Sequence, residues 1–166
     1  IDTDLGKRPR TETELPLRFT CPEDARTQLE RGKHYCKEVL EKNPLGVWPS
    51  EGSVSPELIP IIEEVGFSWA ATDEAILYNS LEKVESQSLF QPYKVEINGC
   101  RTNMVFRHRK LSDLIGFVYQ KNHPQAAITD FVSRLKEICN GLQRMDRPPF
   151  IAIILDGENP WEYYQD

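Results

Sequence analysis

The chain is short of the residues and runs that would place it in several common classes. It has four cysteines, Cys21, Cys36, Cys100 and Cys139, and no two stand in a C-x-x-C spacing. Neither a disulfide framework nor a zinc ribbon is written into such a pattern, so the four read as reduced structural thiols, with Cys36 and Cys139 on apolar helix faces. The three histidines, His34, His108 and His123, are scattered with no H-x-x-x-H pair, and no metal or other cofactor is expected. Positive charge is in deficit, with 20 Lys and Arg against 26 Asp and Glu and a net charge of −6. That balance argues against a nucleic-acid surface. No apolar run reaches the roughly 20 residues of a membrane span, and no signal peptide opens the chain. The expected setting is cytoplasmic. The first residue is Ile1, which reads as a processed, trimmed or partial chain.

What the sequence does have is a pair of acidic motifs, Trp48-Pro49-Ser50-Glu51-Gly52-Ser53 and Asp156-Gly157-Glu158-Asn159-Pro160-Trp161. Each follows a short apolar run and sets a carboxylate beside Gly, Pro and Trp. The second is the clearer, because Phe150 to Leu155 is uniformly apolar and reads as a strand buried on both faces. A carboxylate at the C-terminal end of such a strand is where α/β sheets and barrels keep their chemistry. Two of them beside aromatic rings suggest cleavage of a sugar acetal.

Residues 1–19 are polar, contain Pro9 and Pro16 and show no period, which predicts a loop or flexible segment. Thr20-x-x-Glu23 has capping-box spacing, and a helix is expected to about Lys42 with Ala25, Leu29, Cys36, Val39 and Leu40 on one face. Strand–turn–helix units follow. Leu45 to Trp48 precedes a helix ending at Gly66, in which Pro60 demands a late start or a kink. Phe67 to Ala71 precedes Thr72-Asp73-Glu74 and a helix to about Glu82. Asn98-Gly99 marks a hairpin turn into a strand that closes on Arg107-His108-Arg109. Leu111 to Tyr119 reads as a helix. From Pro124 a longer helix carries the stripe Ile128, Phe131, Val132, Leu135, Ile138, Cys139 and Leu142, expected to be core. The alternation implies an α/β fold with a parallel sheet and right-handed crossovers, which would gather Glu51, Asp73, Glu74, Arg107 and Asp156 at one edge.

Four segments in order carry a resemblance: Gly46 to Glu57, Thr72 to Leu77, Leu111-Ser112-Asp113-Leu114-Ile115-Gly116-Phe117, and Asp156 to Glu162. They resemble glycoside hydrolase family 57, nearest its amylopullulanase and α-amylase branch, from about residue 20 onward. The resemblance implies a parallel-strand (β/α)7 barrel that acts on α-glucans with retention of configuration. Residues 20–166 would form its central to C-terminal part, partnered by the remaining barrel segments of a parent chain. It further implies that Glu51 is the nucleophile and Asp156 the general acid/base, with carboxyl groups roughly 5–5.5 Å apart as retaining chemistry requires. His108 stands where the family usually has an acidic residue, and Lys110 where Glu is common, so this rim is more basic.

Each candidate also has a plainer reading. Glu51 could be an acid at a helix N-terminus, and Asp156 a turn former. Trp48 and Trp161 suit either core packing or stacking on a sugar face, whereas Trp69 reads as core. Asp73 and Glu74 suit orienting substrate hydroxyls or capping the next helix. Arg107 suits pairing with a carboxylate of the site. Ser112 and Asp113 fit a helix start as well as a substrate contact. The candidate substrate-binding set is therefore Trp48, Asp73, Glu74, Arg107, Asp113 and Trp161. The leading function is a retaining α-glucan hydrolase. A 4-α-glucanotransferase or branching enzyme would use the same covalent chemistry, and a carbohydrate-binding fragment without turnover is the non-enzymatic alternative. A metal-dependent phosphatase is disfavoured, because no Asp-x-Asp follows the first strand.

Overall fold

The computed structural model describes residues 20–142, 147–157 and 163–164, in two compact units. One contains the chain to Thr72 with Tyr93–Val105, the other Asp73–Pro92 with the chain from Phe106 onward. The segment 1–19 and Trp161 lie outside the described residues.

The first unit opens with α1, Pro22–Leu40. Its N-cap is Cys21, with no side-chain cap and Pro22 in the first turn. The capping box expected at Thr20 is not used, since proline's fixed φ already sets the first helical residue. Ala25, Leu29 and Cys36 are half-buried on the face that packs against α2, while Val39 and Leu40 are exposed. The short strand β1, Gly46–Val47, leads through a turn to α2, Leu58–Glu64. Pro60 is the third residue of α2, so its missing N–H is one that a first turn leaves unpaired anyway. Gly66, at φ 80°, ends α2; its carbonyl and that of Val65 accept from Lys33 Nζ at 2.8 Å each.

Strand β2, Trp69–Asp73, buries Ala70, Ala71 and Thr72 in succession, the signature of a strand covered on both faces. β3, Tyr93–Ile97, and β4, Cys100–Arg107, form a hairpin with Ile97 opposite Cys100. Asn98 and Gly99 both have positive φ, 52° and 82°, as a two-residue type I′ turn requires. The sheet order is β1-β2-β4-β3, with β1 and β2 parallel and β3 and β4 antiparallel. It is mixed rather than wholly parallel, because a two-residue turn can only join antiparallel neighbours. The fold is thus mixed α/β around a four-stranded sheet. Ile59, Ile61, Ile62, Phe67 and Met104 supply the unit's apolar core.

Trp69 is not core. It is 41% exposed and lies over Gly46, its cross-strand partner, where an added Cβ would sit 1.9 Å from the indole. The glycine leaves a groove in the sheet surface that the ring fills.

In the second unit, α3 spans Glu74–Ser80, α4 spans Arg109–Asp113, and α5 spans Pro124–Gly141. A π turn at Leu114–Val118 and a 3-10 turn at Tyr119–Lys121 continue α4. The core is Leu77, Leu89, Phe106, Leu111, Tyr119, Leu142 and Ala152. The stripe on α5 departs from expectation. Ile128 is 57% and Val132 40% exposed, Cys139 is exposed, and of the seven residues only Leu142, just past the helix, is buried. Helical spacing fixes which side chains share a face; what covers that face is decided elsewhere. The segment Phe150 to Leu155 also departs. Among the described residues it forms a single parallel bridge, Arg107 with Ala152, and Phe150 is 45% exposed. Among the described residues no helix is long and apolar enough to cross a membrane.

Candidate active site

Glu51 sits on a tight turn just past β1. Residues Ser50–Gly52 make one 3-10 turn, closed by Gly52 N–H to Pro49 O at 2.8 Å and Ser53 N–H to Ser50 O at 3.0 Å. Inside it Glu51 takes φ 56°, ψ 21°, a left-handed conformation that costs a residue with a Cβ roughly 1–2 kcal/mol. Gly52 follows at φ 66°, and a Cβ there would meet the Trp48 ring at 2.7 Å. The fully buried Thr72 hydroxyl donates to Gly52 O at 2.5 Å. Trp48 is half-buried and the Glu51 side chain is exposed. The surroundings hold the strained turn in place, so the carboxylate is presented to solvent from a fixed main chain.

In the second unit the strand ends bring charge together. Asp73 caps α3 by accepting from Ala75 N–H at 2.9 Å. The same carboxylate pairs with Arg109 through both oxygens and lies 3.8 Å from Arg107. Burial alone would raise the Asp73 carboxyl, but Arg109, the Ala75 amide and Arg107 outweigh it and hold the group below the ordinary aspartate range. Glu74 accepts from Arg109 N–H at 3.1 Å. Arg107, only 15% exposed, donates to Asp113 at 2.5 Å and from Nε to the Ile154 carbonyl at 3.0 Å. Its guanidinium is therefore committed to protein partners.

His108 is the N-cap of α4, with Nδ1 accepting from Leu111 N–H at 3.3 Å and its ring 5.9 Å from that of Phe90. Burial pushes the imidazole below its usual value, helped by Lys110 and opposed by Glu74. Asp156 and Gly157 are exposed at the end of the Phe150–Leu155 segment.

Of the sequence candidates, Trp48 and Glu51 belong to the first unit and Asp73, Glu74, Arg107, Asp113 and Asp156 to the second. Asp73, Arg107 and Asp113 are joined in one ion-pair network. Sequence reasoning does not single out Arg109 as the main partner of Asp73, or His108 as a helix cap. The only signal for the latter is a polar residue directly ahead of the helix. Among the described residues no three His, Cys, Asp or Glu side chains gather as a metal ligand set.

The profile of Glycosyl hydrolase family 57 matches residues 7–166, so the chain belongs to that family. Among solved structures it is similar to a 4-alpha-glucanotransferase from Thermococcus litoralis, at 26% identity and a TM-score of 0.65 over 86% of this chain. The chain spans a fifth of the length of that protein, 20%. No curated protein matches it.

Proposed function

We propose that the protein acts on α-glucans by double displacement, as part of a (β/α)7 barrel, with Glu51 as nucleophile and Asp156 as general acid/base. The observation that carries this reading is the turn at Glu51. An exposed carboxylate is held in a strained left-handed conformation at the end of a parallel strand, which is where barrel enzymes keep reacting groups and where strain is retained for function. Family membership supports it.

In the first step a Glu51 carboxylate oxygen bonds to the anomeric carbon as the C–O bond to the leaving sugar breaks. The Asp156 carboxyl gives its proton to the departing oxygen. In the second step the Asp156 carboxylate takes a proton from water, and the water oxygen displaces Glu51 from the anomeric carbon. Both inversions cancel, one water is consumed and both side chains return to their starting states. Asp73 and Glu74 serve to orient sugar hydroxyls, and Trp48 and Trp161 to stack on ring faces. The exposed stripe on α5 supports a further assignment, that remaining barrel segments of a longer chain pack there.

Hydrolysis of the α-amylase or pullulanase type is the leading reading. Transfer to a sugar hydroxyl in place of water is the second, favoured by the likeness to a 4-alpha-glucanotransferase. The test is turnover of soluble starch and maltoheptaose by the chain together with those barrel segments. Glu51→Gln is expected to lose at least about a thousandfold in kcat, the scale seen when a nucleophile is removed. Reducing ends without longer glucans indicate hydrolysis, and longer glucans indicate transfer. Undiminished turnover by Glu51→Gln, or binding of maltoheptaose with no turnover by the unaltered protein, overturns the assignment.

A further inference from the structure

We propose that Arg107, Ser112 and Asp113 are positioning residues for Asp156, because the Arg107 and Ser112 side chains grip the main chain of Ile154 where a strand ladder would otherwise hold it, and Asp113 anchors Arg107. The proposal rests on the reading of Asp156 as general acid/base. Phe150 to Leu155 has the composition of a strand, yet its backbone partners among the described residues are few. Phe150 N–H donates to Phe90 O at 2.9 Å, and Ala152 O accepts from His108 N–H at 2.8 Å. Beyond Ala152 side chains take over. Ile154 N–H donates to Ser112 Oγ at 3.2 Å, and Ile154 O accepts from Arg107 Nε at 3.0 Å. Both peptide planes flanking Ile154 are thereby fixed, two residues before Asp156.

The gripping groups are themselves constrained. Ser112 is fully buried, and its hydroxyl donates to His108 O at 3.0 Å. With that proton committed, the oxygen can present only a lone pair to Ile154 N–H. Arg107 is anchored at its far end by Asp113 at 2.5 Å and lies 3.8 Å from Asp73. A planar fork held on both sides cannot swing away, and a lysine at the same position could not reproduce it. Leu155 lies against Gly116 of the π turn, where an added Cβ would be 3.6 Å from its methyl. The grip thus comes from two elements, β4 through Arg107 and α4 through Ser112. The segment Leu111 to Phe117, which carries part of the family resemblance, gains a physical role in this way. Its Ser112 and Asp113 seat the stretch that ends in the acid.

The test compares two substrates in Arg107→Lys and Ser112→Ala. Maltoheptaose has a poor leaving group that needs a proton in the transition state. A dinitrophenyl maltooligoside has one that leaves without it, and the burst of dinitrophenolate reads its first step. The expected result is a fall of at least about tenfold in kcat on maltoheptaose, with the burst rate changed by less than about threefold, as displacement of an acid by a fraction of an ångström predicts. A purely structural role lowers both rates together, and that result overturns the proposal. Asp156→Asn is measured alongside. Should it fail to separate the two substrates, the assignment of Asp156 fails on its own account. Should it separate them while the other two variants do not, the positioning role alone fails. Amide exchange at Ile154 gives a readout independent of turnover. It is expected to speed up at least about tenfold in Ser112→Ala with unchanged far-ultraviolet circular dichroism, given the loss of the Ser112 hydroxyl as acceptor for that amide, and unchanged exchange overturns the grip.

Discussion

Glycine and alanine at position 51 should rank in the reverse of their usual order. In a helix or strand interior, glycine is less stable than alanine by roughly 0.5–1 kcal/mol, because the unfolded chain gains freedom. Glu51 instead holds φ 56° and ψ 21°, where a Cβ costs roughly 1–2 kcal/mol. Alanine keeps that cost and glycine removes it. The extra freedom of an unfolded glycine takes back about 0.4–1 kcal/mol, which leaves Glu51→Gly more stable than Glu51→Ala by about 1 kcal/mol. For a chain of this size that difference moves the melting midpoint by about 2–4 °C. Urea titration followed by tryptophan emission is the assay, since Trp48 packs on Gly52 and Trp69 on Gly46 in the same unit. Both variants lack the carboxylate and should be inactive on glucan. A more stable, inactive Glu51→Gly would mean that the turn carries strain which only the reacting group justifies. Equal stabilities, or alanine the more stable, would refute the strained turn and remove the main structural support for Glu51 as nucleophile.

Gly46→Ala places a Cβ 1.9 Å from the Trp69 ring, so the indole must leave its seat; a loss of about 1–3 kcal/mol is expected, with a shift in tryptophan emission, and unchanged emission contradicts the packing. At His108, burial lowers the folded pKa, so its contribution is present above the unfolded value of about 6.5 and is lost as pH falls through the folded one. Protonated Nδ1 can no longer accept from Leu111 N–H, whereas asparagine caps without titrating. His108→Asn should therefore remove part of the stability loss as pH falls below about 6.5, and identical pH profiles for the two proteins would exclude the cap as its source.

How far these features can be read from sequence depends on the physics behind each. Asn98-Gly99 is legible because two consecutive positive φ values suit few other residue pairs. The cap at Asp73 is legible as one of two roles, since aspartate before a helix accepts from its first amides whatever else it does. The left-handed turn at Glu51 is not legible, because Pro-Ser-Glu-Gly is compatible with many loops, and its geometry is imposed by Thr72 and Trp48. Ser112 and Asp113 read as a helix start. The helix in fact begins at Arg109, capped by a histidine nitrogen, so Ser112 falls inside the helix and turns its hydroxyl to Ile154.

The two largest departures share one cause. The α5 stripe has helical spacing, and Phe150 to Leu155 is apolar throughout, but periodicity and composition describe a segment's own surface and not its neighbour's. An apolar face is buried only where another element covers it, and an extended segment becomes a strand only where a ladder is offered along its length. β4 offers Ala152 one bridge, from Arg107, and the side chain of that same arginine supplies the following contact at Ile154. The motif ending in Asp156 therefore does not define its own position. In the proposed grip an arginine at a strand end and a buried serine inside α4 both hold Ile154, so substitutions at residues 107 and 112 should be felt at residue 156 before they are felt in the stability of the fold.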